Sequence, residues 1–132
     1  MGMLEDLAAF LDTAGVGVYS PGSGETRNIF VGNMPTSPDS VIVLHEYPRG
    51  PRDLLGYKKA GLHVEVRGPA RNYSTPRSLI ESVITALHGQ LNQTIGSDWY
   101  LGLQLLGEPE LIRVEEDTGR RVFGSNFRVD KK

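Results

Sequence analysis

Leu-His-Val-Glu-Val-Arg, residues 62–67, alternates apolar and polar side chains with period two, which is the pattern of a β-strand with one dry and one wet face. Leu62, Val64 and Val66 form the dry side, and His63, Glu65 and Arg67 are expected on the wet one. A few residues on, Leu79, Ile80, Val83, Ile84 and Leu87 form a stripe of period 3.6. It predicts a helix from Pro76 to about His88, capped by Ser74 or Thr75 and ended by Gly89. A one-sided strand followed by a one-sided helix makes two layers that bury each other.

The remaining periodicities fill in this frame. Leu4, Leu7, Ala8 and Leu11 predict an amphipathic helix over 3–14, with Gly15 as its stop. Ile29–Val31 and Val41–Tyr47 read as strands, the second apolar on both faces and hence central. Trp99–Leu106 reads as a strand with Trp99, Leu101, Leu103 and Leu105 on one face and Tyr100, Gly102 and Gln104 on the other. Residues 111–116 and 121–129 read as a hairpin turning through Asp117-Thr118-Gly119. Strands that follow one another without crossover helices predict a mainly antiparallel or mixed sheet of about five strands. With two helices packed on one face, the class is a two-layer α+β single domain spanning 1–132. The flexible loops are expected at 15–28 and 48–61, and residues 130–132 are expected to fray.

The composition narrows the function. At 132 residues, 39% hydrophobic and 23% charged, the chain fits one ordinary domain. It has no cysteine, so disulfides, thiolate metal sites and cysteine nucleophiles are excluded. The N-terminus lacks a basic n-region, and nowhere do ~18 apolar residues run together, so no membrane partner is expected and assembly in the cytoplasm is. Fourteen basic and sixteen acidic residues give a net charge of −2, which argues against a broad nucleic-acid face.

Sites of chemistry are weakly written. In IFVGNMPTSPDSVIVLHEYP, residues 29–48, the Gly32-Asn33-Met34-Pro35 corner has one glycine and is followed by Pro38, so it turns the chain rather than cradling a phosphate. The glycines of 15–24 leave a helix and do not form a dinucleotide fingerprint. His63 and Glu65 share a strand face, as metal ligands would, with His45 and His88 as distant third candidates. Glu115 and Glu116 are adjacent and face opposite ways on a strand. No Gly-x-Ser-x-Gly elbow is present, and Asn92-Gln93-Thr94 matches a glycosylation acceptor without a secretory route. No catalytic, metal or cofactor residue is assigned.

The charge distribution is more informative than its sum. Arg49, Arg52, Lys58 and Lys59, with Leu54, Leu55 and Tyr57, make PRGPRDLLGYKKAG a basic-apolar arm of the kind that anchors in a partner. Glu115, Glu116 and Asp117 lie in an acidic stretch, the counterpart expected if copies associate head to tail.

Taken together, LEDLAAFL, IFVGNMPTSPDSVIVLHEYP, GLHVEVRGPARNYSTPRSLIESVITALHG and FGSNFRV resemble the tail terminator family of long-tailed bacteriophages, also labelled minor capsid or minor tail proteins, over residues 3–129. The resemblance implies a non-enzymatic virion protein. Such a subunit forms a homo-oligomeric ring, typically a hexamer, on the head-proximal end of the tail tube. There it stops tube polymerisation and offers a head-tail joining surface. It implies the tail tube protein and a head-completion or neck protein as partners, with DNA only passing through the lumen and no cofactor. The 15–28 loop has no clear counterpart in the family. The alternatives are a neck or head-completion protein of the same virion, or a small metal-dependent hydrolase using His63 and Glu65.

Overall fold

The structure, a computed structural model, describes residues 2–52 and 54–132. Asp53, part of the arm, lies outside them. The elements are α1 (Met3–Thr13), β1 (Ile29–Val31), β2 (Val41–Pro48), β3 (Lys58–Ala70), α2 (Ser74–Leu87), β4 (Leu91–Ile95), β5 (Asp98–Leu105), β6 (Glu110–Val114) and β7 (Arg120–Lys131). Among the described residues the sheet has seven strands, ordered β1-β2-β3-β7-β5-β4, with β6 also paired to β7. The class is α+β as expected, but the sheet is larger than the five or so strands read from the sequence. It is mixed because β1 runs parallel to β2, while the other pairings are antiparallel.

One long ladder organises the molecule. β3 and β7 pair from Lys58 opposite Lys131 to Ala70 opposite Arg120. On its other edge β7 is shared, with β5 along Phe127–Lys131 and β6 along Arg121–Gly124, so the sheet forks there and curls. The alternation in β3 holds where it matters, since Leu62, Val64 and Val66 are each 0% exposed. They join Ile42, Leu44, Phe123, Phe127 and residues of both helices in a single buried cluster. Each fully buried aliphatic side chain there contributes on the order of 1.5–3 kcal/mol.

The helix ends follow from local chemistry. After α1, Gly15 takes φ 81°, and the Val16 and Gly15 amides donate to the Leu11 and Asp12 carbonyls at 3.0 Å each, a Schellman stop at the expected glycine. α2 begins two residues before Pro76. Its first turn is capped by neither Ser74 nor Thr75; Asn72 Oδ1 accepts the Thr75 amide at 2.9 Å. A side chain at Gly68 would come within 2.5 Å of Pro76, so glycine lets the helix start close over β3.

Four features depart from the sequence reading or were absent from it. Residues 91–95 form an edge strand, β4, joined to β5 through Gly96 at φ 63°. In β5 a register shift between Tyr100 and Gly102 breaks the simple alternation, so Tyr100 (0% exposed) and Leu103 (1%) both point inward and Leu101 is 41% exposed. The C-terminal residues, expected as a frayed tail, are placed within the sheet: Lys131 closes β7, bonds to Asp98 and lies over the Tyr100 ring, and the Lys132 amide donates to Trp99 C=O at 2.9 Å. Finally, the irregular stretch expected over 48–61 shrinks to 49–57. Pro48 still pairs with Ala60, and Lys58 with Lys131, because β3 has a neighbour on both sides.

Candidate assembly surfaces

The corner between β1 and β2 is closed by a residue expected to be wet. Arg67 is 1% exposed. Its Nε donates to Asp39 C=O at 3.1 Å, Nη1 to Pro35 C=O at 2.7 Å and Nη2 to Pro38 C=O at 2.7 Å. The 32–40 segment therefore folds over the end of β3 and is tied there by one guanidinium. Burial, followed by the neighbouring Arg120 charge, lowers the Arg67 pKa, and Glu115 opposes that effect.

Glu115 is the second centre of this network. Its Oε1 accepts from Arg120 Nε at 2.7 Å and from Thr118 Oγ1 at 2.7 Å, and its Oε2 lies 3.4 Å from Arg67 Nη1. Arg120 also donates to Thr36 C=O at 2.8 Å and to Asp39 at 3.2 Å. Burial pushes the Glu115 carboxyl up, but the Thr118 and Arg120 hydrogen bonds and the charges of Arg67 and Arg120 outweigh it, so its pKa lies below the usual range. Of the three acids expected at an interface, Glu115 is thus occupied within the subunit, whereas Glu116 and Asp117 are exposed on the turn.

The basic arm divides in the same way. Arg49 donates to Ala60 C=O at 2.5 Å, to Val129 C=O at 3.0 Å and to Asp130 at 2.6 Å, pinning the arm's base across β3 and β7. Arg52, Lys58 and Lys59 are exposed and border a shallow cavity of about 360 Å³ floored by Tyr47 and Ala60. Leu54 is 105% exposed and Leu55 76%. The Tyr57 ring lies 6.2 Å from that of Trp99, with the Lys132 ammonium 5.5 Å above it. Arm and acidic turn sit at opposite ends of the β3–β7 ladder, up to about 40 Å apart at ~3.3 Å per residue.

The outer face of the sheet explains His63 and Glu65. Glu65 lies 3.4 Å from His45 and 3.7 Å from His63 and meets the Arg113 guanidinium at 3.0 Å, while His63 Nδ1 is 2.9 Å from Asn126 Oδ1. A cation of the protein's own thus already faces this carboxylate. His88 is elsewhere, accepting the Leu105 amide at 2.9 Å. Among the described residues no three His, Asp or Glu side chains form a group that could hold a metal ion.

Sequence reasoning missed β6 as a surface. All five of its residues are exposed, with Leu111 at 44%, Ile112 at 40% and Val114 at 44%. The signal was present in ELIRVEE, apolar on both faces of a short strand bracketed by acids.

The fold and its surfaces define an α+β sheet domain whose distinctive chemistry lies at the ends and edges of its strands. Residues 10–132 match the family described as bacteriophage tail terminator protein, and the chain belongs to that family. It is therefore a structural protein of a phage virion, as the resemblance implied. Among solved structures, a chain of the virion of a native gene transfer agent particle is similar with a TM-score of 0.55 and 19% identity, covering 95% of this chain and 83% of that one, a likeness of fold. No curated protein sequence matches the chain.

Proposed function

We propose that this protein assembles as a homo-oligomeric ring, six copies by its family resemblance, on the head-proximal end of the tail tube. The ring stops tube polymerisation and offers the head-completion or neck protein its docking surface, while DNA passes through the lumen. No step of this function requires catalysis or a cofactor. The observation that supports it is the polarity of the β3–β7 ladder, with Lys58 and Lys59 at one end and Glu116 and Asp117 at the other. Head-to-tail contact between such ends is heterologous, and it closes into a ring when the rotation per copy divides a full turn.

Light scattering behind a sizing column, over a range of protein concentration and at two salt strengths, tests this reading. A salt-sensitive species near six copies is expected, since the Debye length falls from about 10 Å at 0.1 M salt to about 3 Å at 1 M. Reversing charge at Lys58→Glu and Lys59→Glu is expected to weaken assembly and leave the subunit folded. Unchanged assembly by that double variant removes the arm from the contact. A wild-type protein that is monomeric and also fails to cap purified tail tubes refutes the ring.

A further inference from the structure

We infer that edge strand β6 receives the tip of the 49–57 arm from a second copy of this chain, Leu54 and Leu55 lying on Leu111, Ile112 and Val114. This rests on the ring reading and adds an apolar contact to its charged one. β6 pairs with β7 along one edge, and no strand covers its other edge among the described residues. A short strand showing three large apolar side chains to solvent is a surface that proteins ordinarily cover. Leu54 is the complementary oddity, a leucine with its whole side chain in water.

Charge selects between the two exposed apolar edges. Around β6, Glu108, Glu110, Glu116 and Asp117 are exposed, and the strand's one cation, Arg113, is paired with Glu65. The other edge shows Leu91 at 63% and Leu101 at 41%, beside Asn92, Gln93 and Gln104. In sequence the tip carries Arg52, Lys58 and Lys59 against Asp53, and the edge carries four exposed acids against the half-exposed Arg121 opposite Val114, so the tip is drawn to the acidic edge.

Distance makes the contact intermolecular. β6 begins opposite Gly124 of β7, and the arm returns to the sheet at Lys58 opposite Lys131. Those two points of β7 are roughly 23 Å apart, whereas Leu54 is four links from Lys58 and reaches at most ~14 Å. An arm cannot reach the β6 of its own subunit.

The chain has no cysteine, so a disulfide can be placed cleanly. The doubly substituted protein, Leu54→Cys with Ile112→Cys, is oxidised and run without reductant. A ladder of covalent oligomers up to the ring is expected, and Leu54→Cys with Val114→Cys repeats it should the first variant be unstable. Leu54→Cys protein mixed with a separate Leu91→Cys protein is expected to cross-link at least tenfold less than Leu54→Cys protein mixed with Ile112→Cys protein. With the two cysteines on separate proteins, no disulfide can close within one subunit along the Lys59–Asp130–Gly102–Leu91 row. Equal cross-linking to Leu91, or none to β6 in a protein that light scattering shows to be oligomeric, overturns the inference and leaves the ring reading standing. A monomer that neither cross-links nor caps tubes overturns both. As a second readout, Leu54→Ser with Leu55→Ser is expected to weaken assembly at least tenfold with an unchanged melting temperature.

Discussion

Replacing Arg67 by methionine is expected to release the 32–40 segment. The methionine chain keeps most of the apolar stem packing but has no donor for the three carbonyls of Pro35, Pro38 and Asp39. These carbonyls belong to a loop that can move into water, so each loses about 1 kcal/mol, near the lower end for an abandoned buried acceptor. Glu115 keeps Arg120 but loses its second cation, which brings the total to about 3–4 kcal/mol. For 132 residues at about 2.1 cal/mol/K each, the unfolding entropy is roughly 0.28 kcal/mol/K. The melting temperature therefore falls by about 11–14 °C. Arg67→Lys keeps the charge but cannot span three carbonyls, so it recovers under half of the loss. Thermal unfolding by circular dichroism measures the total, and amide hydrogen exchange shows whether faster opening is concentrated at 32–40. A methionine variant within about 1 kcal/mol of wild type refutes the view that one guanidinium holds this loop.

Glu115→Gln tests the same network through pH. The folded pKa of Glu115 is depressed below 4.5, so its ionic stabilisation is present above that value and is lost as pH falls through the folded pKa. The wild-type advantage over Glu115→Gln, about 1–2 kcal/mol at pH 7, is expected to shrink as pH falls below 4.5 in urea titrations. A constant gap refutes it. Lys131→Met is expected to cost about 1 kcal/mol, because Asp98 remains partly solvated, and to raise the Asp98 pKa, which its hydrogen bond from Lys131 holds down, measurable by carboxyl NMR. Gly96→Ala places a side chain at φ 63° and 2.2 Å from the buried Asp6 carboxyl carbon, and about 2–3 kcal/mol of destabilisation is expected in denaturant unfolding.

Local pattern carried the elements whose partners are implied by their own period. The stripes of Leu4, Leu7 and Leu11 and of Ile80, Val83 and Leu87, and the alternation of Leu62, Val64 and Val66, each face the core. What escaped was set by distant neighbours. Arg67 continues a wet alternation, and only the return of residues 35–39 over its end buries it. Lys58-Lys59-Ala60-Gly61 has little strand propensity, yet it pairs because Arg128–Lys131 of β7 lie opposite all four residues and Tyr47–Pro48 lie opposite Gly61 and Ala60 on the other side. Lys131 looks like a solvated tail until Asp98 and Tyr100 are placed beside it. Leu91–Ile95 lacked a signal because it is an edge strand with Leu91, Asn92 and Thr94 exposed, so no face of it needs to be apolar. Among the expected surface residues, Arg49 and Glu115 were legible as charges but not as charges with internal partners.

The same division bears on how a ring could form. Lys58 and Lys59 are paired with Lys131 and Asp130 of β7, and their separation from the acidic turn is set by the β3–β7 ladder, apart from the shift between Arg67 and Ala70. Contacts made by these charges need little ordering, so they suit long-range steering and choice of register. Leu54 and Leu55 lie on the stretch between β2 and β3 and have most of their side-chain surface in water. Fixing each of these side chains on a partner costs roughly 0.5–1 kcal/mol of rotamer freedom, set against roughly 1.5–3 kcal/mol gained if each is fully covered. The net gain per leucine is small and the number of leucines per ring scales with its copies. A single contact is then weak while a closed ring, in which every arm is seated at once, is held by all of them together. Such an arrangement favours complete rings over free pairs, which is the behaviour that the proposed role at the end of a tube requires.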